Sequence, residues 1–186
     1  HDCSKVRRAD RKIGSIRAYL RKVLVCMRLS DYDPPREVCA NLIFMAQATY
    51  DDANLLLKLY DLRREEKMRE ARAWFIANFK PKTFEEMMKL CPPGSPESAR
   101  MRQVVTYWDM AASFVSMGVL NPEMFFVNNR EFLLVWLRVR PYLAELRQKY
   151  GDPAYFKHLE TAGNLNMEFL SRTSPGALEE FVKRVG

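Results

Sequence analysis

Apolar residues recur at alternating steps of three and four positions, a spacing that matches one face of an α-helix and not a strand. The longest such stripe covers three heptads near the start of the chain: Val6, Ala9, Ile13, Ile16, Leu20, Val23 and Met27. Composition agrees, because Leu, Ala and Met number 46 against 22 for Val, Ile and Thr. Unbranched side chains lose less rotamer freedom in a helix than β-branched ones. The chain is therefore predicted to be almost entirely helical.

Proline and glycine divide the chain into separate helices, because proline cannot donate to the helical ladder and glycine ends many helices in the left-handed conformation. We expect breaks at Pro34, Pro35, Pro81, residues 91–96, Gly118 and Gly151, an interruption near residue 128 and a kink at Pro141. These breaks predict an all-α fold, a single-domain multi-helix bundle of about seven to nine helices. Residues 1–30 are assigned to a basic amphipathic helix and residues 31–186 to the helical bundle domain.

Polar residues at the boundaries are expected to cap helices. Asp51 or Asp52 is the expected N-cap of a helix that begins near residue 52. Thr83, followed three residues later by a glutamate, matches a capping box. Asp152, which precedes a proline, is expected to cap a helix that ends near residue 172.

The net charge of +7 is confined to one end of the chain. Residues 1–28 contain nine basic and two acidic side chains, whereas the remainder contains 21 of each. Seven basic residues lie outside the apolar stripe and form the candidate site for an anion or a partner: Arg7, Arg8, Arg11, Lys12, Arg17, Arg21 and Lys22. Such a face attracts anions, and its charges exclude a membrane-spanning helix at this position.

Metal and redox signatures are weak. The four cysteines form no C-x-x-C pair and only two histidines are present, so neither a metal site nor a cofactor is predicted. Free thiols in a reducing compartment are expected, with a disulfide as the alternative. We therefore expect a cytoplasmic protein, with membrane association as an option. Because the chain begins at His1 and not at Met, a removed upstream segment is left open.

No catalytic residue is predicted. His158 is the one interior histidine, and its neighbours in helical register supply no carboxylate to orient it. Paired acids such as Glu65 and Glu66 fall in first helical turns, where they favour the helix dipole. The chain is therefore predicted not to be an enzyme.

Two tryptophan-centred segments form a candidate pocket. Trp108 and Asp109 lie on one predicted helix, and Trp136, Arg138 and Arg140 lie on another. If the two helices face each other, an ion pair that sets helix register or an anion-binding notch would result, since arginine presents a forked donor set to carboxylate or phosphate. The two alternatives are left open.

Two stretches of the sequence match a family pattern: residues 59–74 with 84–86, and residues 104–118. They are followed by six further matching residues: Trp136, Pro141, Arg147, Gly151, Tyr155 and Glu160. Together they resemble a bacterial family of uncharacterised helical domains, over roughly residues 55–165. Members of that family often carry an N-terminal transmembrane helix. The resemblance implies an all-helical fold, permits a membrane-tethered cytoplasmic domain and implies no activity. This chain differs from the family in having a charged amphipathic helix where an anchor would lie.

The leading hypothesis is a non-enzymatic interaction or scaffold module. Its basic first helix would dock against a protein partner, a second copy of the chain or an anionic membrane surface. The alternative is a nucleic-acid-binding protein that uses the same helix, with affinity that falls as salt rises. A small-molecule site near Trp108 and Trp136 is a third hypothesis. In the simplest case, the first helix packs its stripe on the core and leaves its charges in solvent.

Overall fold

A computed structural model describes residues 47–185, which contain nine α-helices and one 3-10 turn and no strand. The helices are α1 (Tyr50–Arg64), α2 (Glu66–Asn78), α3 (Phe84–Leu90), α4 (Pro96–Ser116), α5 (Pro122–Asn128), α6 (Arg130–Val139), α7 (Leu143–Tyr150), α8 (Lys157–Thr173) and α9 (Ala177–Val185). The predicted all-α multi-helix fold is confirmed. The predicted basic helix, with its seven candidate residues, lies outside the described residues, and none of the helices described is long and apolar enough to cross a membrane.

The start of α1 differs from the expectation. Thr49, and neither Asp51 nor Asp52, is the N-cap, and its hydroxyl accepts a hydrogen bond from the Asp52 backbone N–H at 3.2 Å. The Asp52 carboxylate in turn accepts from the Thr49 backbone N–H at 2.7 Å. A second Asp52 oxygen accepts from the Asn121 backbone N–H at 2.8 Å, which joins the starts of α1 and α5. The helix therefore begins two or three residues earlier than its acidic residues indicate.

The α4 helix is the centre of the bundle, because it packs most extensively against α8 and α2. Its inward face presents Val104, Trp108 and Ala111, each without measurable exposure. Trp108 makes aromatic contacts with Phe125 and Phe132, whose ring centroids lie 6.3 and 5.9 Å from it. The apolar stripes of the sequence thus meet around one aromatic core.

The expected interruption near residue 128 is confirmed, and at Pro141, where a kink was expected, the helix is broken by a 3-10 turn. The chain breaks between α5 and α6 at Asn129, whose φ and ψ of −129° and 58° leave the helical region. Pro141 lies in a 3-10 turn, Arg140–Tyr142, between α6 and α7. Because proline has no N–H and clashes with the preceding turn, the helix cannot continue through it.

The start of α8 corrects a second expectation. Asp152 does not cap this helix, since its carboxylate accepts from the Ala154 N–H at 2.8 Å in a local turn. The helix begins at Lys157, after Phe156, which has a φ of 53° in the left-handed region. The Leu159 N–H, in the first turn, donates to the Asp109 carboxylate of α4 at 2.8 Å. An acid distant in sequence therefore takes the capping role that a local residue was expected to fill.

Gly163 is required where α8 crosses α6. A Cβ atom at this position would lie 2.4–2.7 Å from three atoms of the Trp136 ring, which is closer than van der Waals contact allows. Both residues are buried. The absence of a side chain at Gly163 therefore sets how closely these two helices approach.

Substitution of Gly163 by alanine is expected to destabilise the domain by about 1–3 kcal/mol, since the buried ring must move to make room. Helix propensity alone predicts the opposite sign, a gain of about 1 kcal/mol. Chemical denaturation of the full chain measures the difference. Asn164→Ala, on the exposed side of the same helix, is the control, and a stabilised Gly163→Ala protein would contradict the packing argument.

Candidate functional site

An ion pair crosses the core between α2 and α6. The Arg72 Nε atom donates to Glu131 Oε1 at 2.7 Å, and Arg72 Nη2 donates to Glu131 Oε2, so the guanidinium and carboxylate meet as a two-bond fork. Trp108 Nε1 of α4 donates to the same Oε1 atom at 3.4 Å. The side chains of Arg72 and Glu131 are only 21% and 13% exposed. The hydrogen bond to Glu131 raises the pKa of Arg72, which keeps this arginine charged.

A second arginine extends this network toward α5. Arg63 Nη1 donates to the Asn129 Oδ1 atom at 3.3 Å, and the Asn129 amide donates to the Phe125 carbonyl at 2.9 Å. The Arg63 guanidinium also lies over the Trp108 ring, 5.7 Å from its centroid. The polar side chains of this network are thus used in contacts that hold α1, α2, α4 and α6 together.

Nothing in the sequence pattern indicates these contacts. Arg72 and Glu131 lie 59 positions apart and Arg63 and Asn129 lie 66 apart. Periodicity relates residues on one helix, and it says nothing about which helices become neighbours. The nearest signal was the presence of Glu131 in the same predicted helix as Trp136.

Another ion pair joins residues that carry the family resemblance. Arg147 of α7 donates from Nη2 to Glu160 of α8 at 2.7 Å and from Nε to the Tyr155 carbonyl at 3.1 Å. Gly151, with a φ of 63°, ends α7 between them. These four residues therefore build the turn between α7 and α8, which is a structural role.

Arg138 is a buried cation that bonds to backbone carbonyls and to no acid within residues 47–185. It is 7% exposed, and its Nη1 atom donates to the carbonyls of Phe75 and Ile76 at 2.7 and 3.0 Å, near the end of α2. A cation is favourable at the negative end of the helix dipole. Its Nε atom has no hydrogen-bond partner within residues 47–185, and burial lowers the pKa of the guanidinium.

A cavity of about 170 Å³ opens beside Arg138. Four cations line it, and no acidic side chain is among its lining residues in the described part of the chain: Lys80, Lys82, Arg138 and Arg140. We call this cavity the cationic notch. Three of the four cations are exposed, so the notch presents an open positive surface with one buried guanidinium at its wall.

The structure separates the five residues of the predicted tryptophan pocket. Arg138 and Arg140 line the cationic notch. Trp108 lies in the aromatic core with Glu131, Asp109 accepts from the α8 backbone, and Trp136 packs on Gly163. Arg140 contacts the Met167 sulfur at 3.4 Å. Only the two arginines of the predicted set are brought to one cavity, where Lys80 and Lys82 join them.

The structure contains a serine–histidine contact that the sequence did not predict. The Ser116 hydroxyl lies 2.8 Å from His158 Nδ1, between the end of α4 and the start of α8. Among the described residues no carboxylate bonds to His158, so the acid that orients the base in a nucleophilic triad is absent from this pair. No group of three His, Cys, Asp or Glu residues within residues 47–185 could hold a metal ion.

Replacement of Glu131 by glutamine is expected to destabilise the domain by about 2–3 kcal/mol, because Arg72 would keep its charge in a largely buried site without its partner. Thermal or denaturant unfolding followed by circular dichroism measures the loss. Glu180→Gln removes an exposed ion pair with Lys183 and is the control, with an effect of a few tenths of a kcal/mol. Equal effects of the two substitutions would contradict the assigned role of Glu131.

Comparison with known proteins places the chain in a family without assigning an activity. The family described as a domain of unknown function (DUF4760) matches residues 48–164. No curated protein and no solved structure matches the chain. The matched segment runs from the Thr49 cap of α1 to the Gly163 contact in α8 and covers more than half of the chain. The protein is therefore a member of the DUF4760 family of domains of unknown function.

Proposed function

We propose that this protein is a non-enzymatic interaction module that docks on an anionic membrane surface. The observation that carries the proposal is the cationic notch, in which four cations converge without an acidic side chain among the described lining residues. Residues 1–28, with their net charge of +7, would add long-range attraction to the same kind of surface.

The Arg138 guanidinium supports an anion in the notch. Its described contacts are two carbonyl oxygens and the face of the Phe75 ring, 5.9 Å from the centroid. These compensate the desolvation of a buried cation less than a carboxylate would. An anionic group that entered the cavity would meet this guanidinium together with the exposed Lys80 and Arg140. For Lys80 and Arg140, no ion pair with a described acid competes with such a ligand.

The apolar neighbours of these cations favour a lipid over a nucleic acid. Val182 is 42% exposed, Pro141 is exposed, and both line the notch. A lipid presents phosphate oxygens directly above acyl chains, so it offers an anion and an apolar surface at one place. A nucleic acid backbone offers phosphates without adjoining hydrocarbon. A protein partner, self-association and nucleic acid are the alternatives that the experiment below separates.

The paired substitution Lys80→Gln/Arg140→Gln, made in the full chain, is expected to weaken binding to mixed phosphatidylserine–phosphatidylcholine vesicles by roughly 30-fold, at about 1 kcal/mol per cation removed. Vesicle flotation at low and high salt measures it. Lys67→Gln/Arg69→Gln, at exposed positions in the first turns of α2, removes the same charge away from the notch and should have a clearly smaller effect.

Three outcomes would contradict this proposal. Equal losses for the two paired variants would leave general charge attraction and no role for the notch. Binding of the folded wild-type protein to duplex DNA and not to these vesicles would favour the nucleic-acid alternative. Concentration-dependent dimerisation without vesicle binding would favour self-association.

A further inference from the structure

A different cavity, of about 140 Å³, lies among α3, α4, α7 and the turn before α8. The buried part of its wall is mostly apolar, and two half-buried methionines adjoin it: Met87, Val105, Val139, Leu146 and Phe156, with Met88 and Met101. Exposed residues, among them Pro93, Gly94 and Arg102, mark its mouth. Because Tyr142 supplies the buried hydroxyl at its wall, we call it the tyrosine cavity.

The Tyr142 hydroxyl is left without a hydrogen bond. The residue is 1% exposed, and its oxygen has no partner in the part of the chain that the structure describes. Cys91, 3% exposed, lines the same cavity and interacts electrostatically with this tyrosine, which places the thiol near the hydroxyl. A buried polar group without a partner is costly, so native proteins rarely keep one without a reason.

Water alone explains the cavity poorly. A volume of about 140 Å³ would hold several water molecules at about 30 Å³ each, and each needs two to four polar partners. The buried lining residues offer two polar side chains, the Tyr142 hydroxyl and the weak Cys91 thiol. The other polar side chains of the lining belong to half-buried or exposed residues: Ser98, Arg102, Tyr150 and Tyr155. A cavity of about 150 Å³ with apolar walls accepts a molecule of the size of benzene. The size and lining therefore suit a small organic ligand better than a cluster of waters.

The inner end of the cavity disfavours an anion. Burial raises the pKa of the Cys91 thiol to about 11, and it also raises the pKa of the Tyr142 hydroxyl well above its ordinary value. Both groups are therefore neutral donors at physiological pH. A neutral acceptor such as a carbonyl oxygen matches them. A carboxylate would lose its hydration beside two neutral donors, because Arg102 is exposed at the mouth and Arg138, which interacts electrostatically with Tyr142, lines the cationic notch.

The backbone beside the cavity is held in an unfavourable conformation. Phe156, which lines the wall, adopts a φ of 53°, a region that a residue with a side chain seldom occupies. Strained residues of this kind recur at ligand sites, where the surrounding structure maintains them. The three methionines are flexible and polarisable, so they can adjust around a small molecule.

We infer that the tyrosine cavity binds a small neutral carbonyl compound, about the size of a six-membered ring, whose oxygen accepts a hydrogen bond from Tyr142. Apolar contact with the methionine-lined walls holds the ring of the ligand. The Tyr142 hydroxyl favours a ligand that carries a hydrogen-bond acceptor. The tyrosine cavity and the cationic notch both involve α6 and the 3-10 turn, but they share no lining residue, and the inference does not use the membrane proposal.

The test compares cyclohexanone with methylenecyclohexane, which has nearly the same shape and no acceptor oxygen. Binding to the full chain is followed by NMR titration and by the shift of the unfolding midpoint. Tyr142→Phe is expected to weaken cyclohexanone binding by roughly tenfold, the value of one buried hydrogen bond, and to leave methylenecyclohexane binding unchanged. Tyr150→Phe removes an exposed hydroxyl near the mouth and should change neither.

Stability of the unliganded variants supplies a second measurement. Tyr142→Phe should leave the unfolding midpoint unchanged or raise it, because it removes a buried hydroxyl that lacks a partner. Met101→Trp should fill the cavity and abolish binding of both probes. The inference is overturned if neither probe binds saturably to the folded wild-type protein, if Tyr142→Phe leaves cyclohexanone affinity intact, or if this variant is markedly less stable, as loss of an existing hydroxyl–water bond would make it.

Discussion

The Arg72–Glu131 pair is the contact on which the arrangement of the central helices depends. It joins α2 to α6 across the core, and the Trp108 N–H donates to the same carboxylate from α4. A buried carboxylate without these donors would be costly, so the three helices must meet in one register. The aromatic packing of Trp108 with Phe125 and Phe132 supplies the attraction, and the polar fork selects one arrangement from the many that apolar packing allows.

Most buried polar groups serve this assembly, which makes the exceptions informative. Trp136 has a buried N–H without a partner in the described region, and its ring is pressed against Gly163 by helix packing. Arg138 and Tyr142 also leave buried polar atoms unpaired, and each lines a cavity. The two proposals therefore rest on buried groups with a hydrogen-bonding atom that has no partner among the described residues. These groups are the guanidinium at the wall of the cationic notch and the neutral hydroxyl in the tyrosine cavity.

Local sequence signals predicted which segments form helices more accurately than they predicted the residue at which each helix begins. Gly118, with a φ of 72°, and Gly151 lie near the ends of α4 and α7 as expected. Thr83 caps α3 as expected. The capping box is incomplete, because the Glu86 carboxylate accepts from the backbone N–H of Lys82, one residue before the cap. Thr49 was missed because a run of acids beside it offered equally good caps. The predicted N-cap of α8 was wrong because the hydrogen-bond acceptor for the first turn comes from Asp109, which lies 50 positions from Leu159 in the sequence.

The sequence by itself determined the all-α class, the approximate number of helices and the concentration of charge at one end, because each follows from spacing, residue type or counting along the chain. Arg138 and Arg140 were singled out from the sequence as part of a possible pocket with two tryptophans, and the structure places them in a different cavity. Only the tertiary structure decided that Glu131 meets Arg72, that Lys80 and Lys82 join the arginines, and that Cys91 lies near Tyr142. These pairings depend on which helix faces pack together, and helical periodicity leaves the choice of neighbour undetermined.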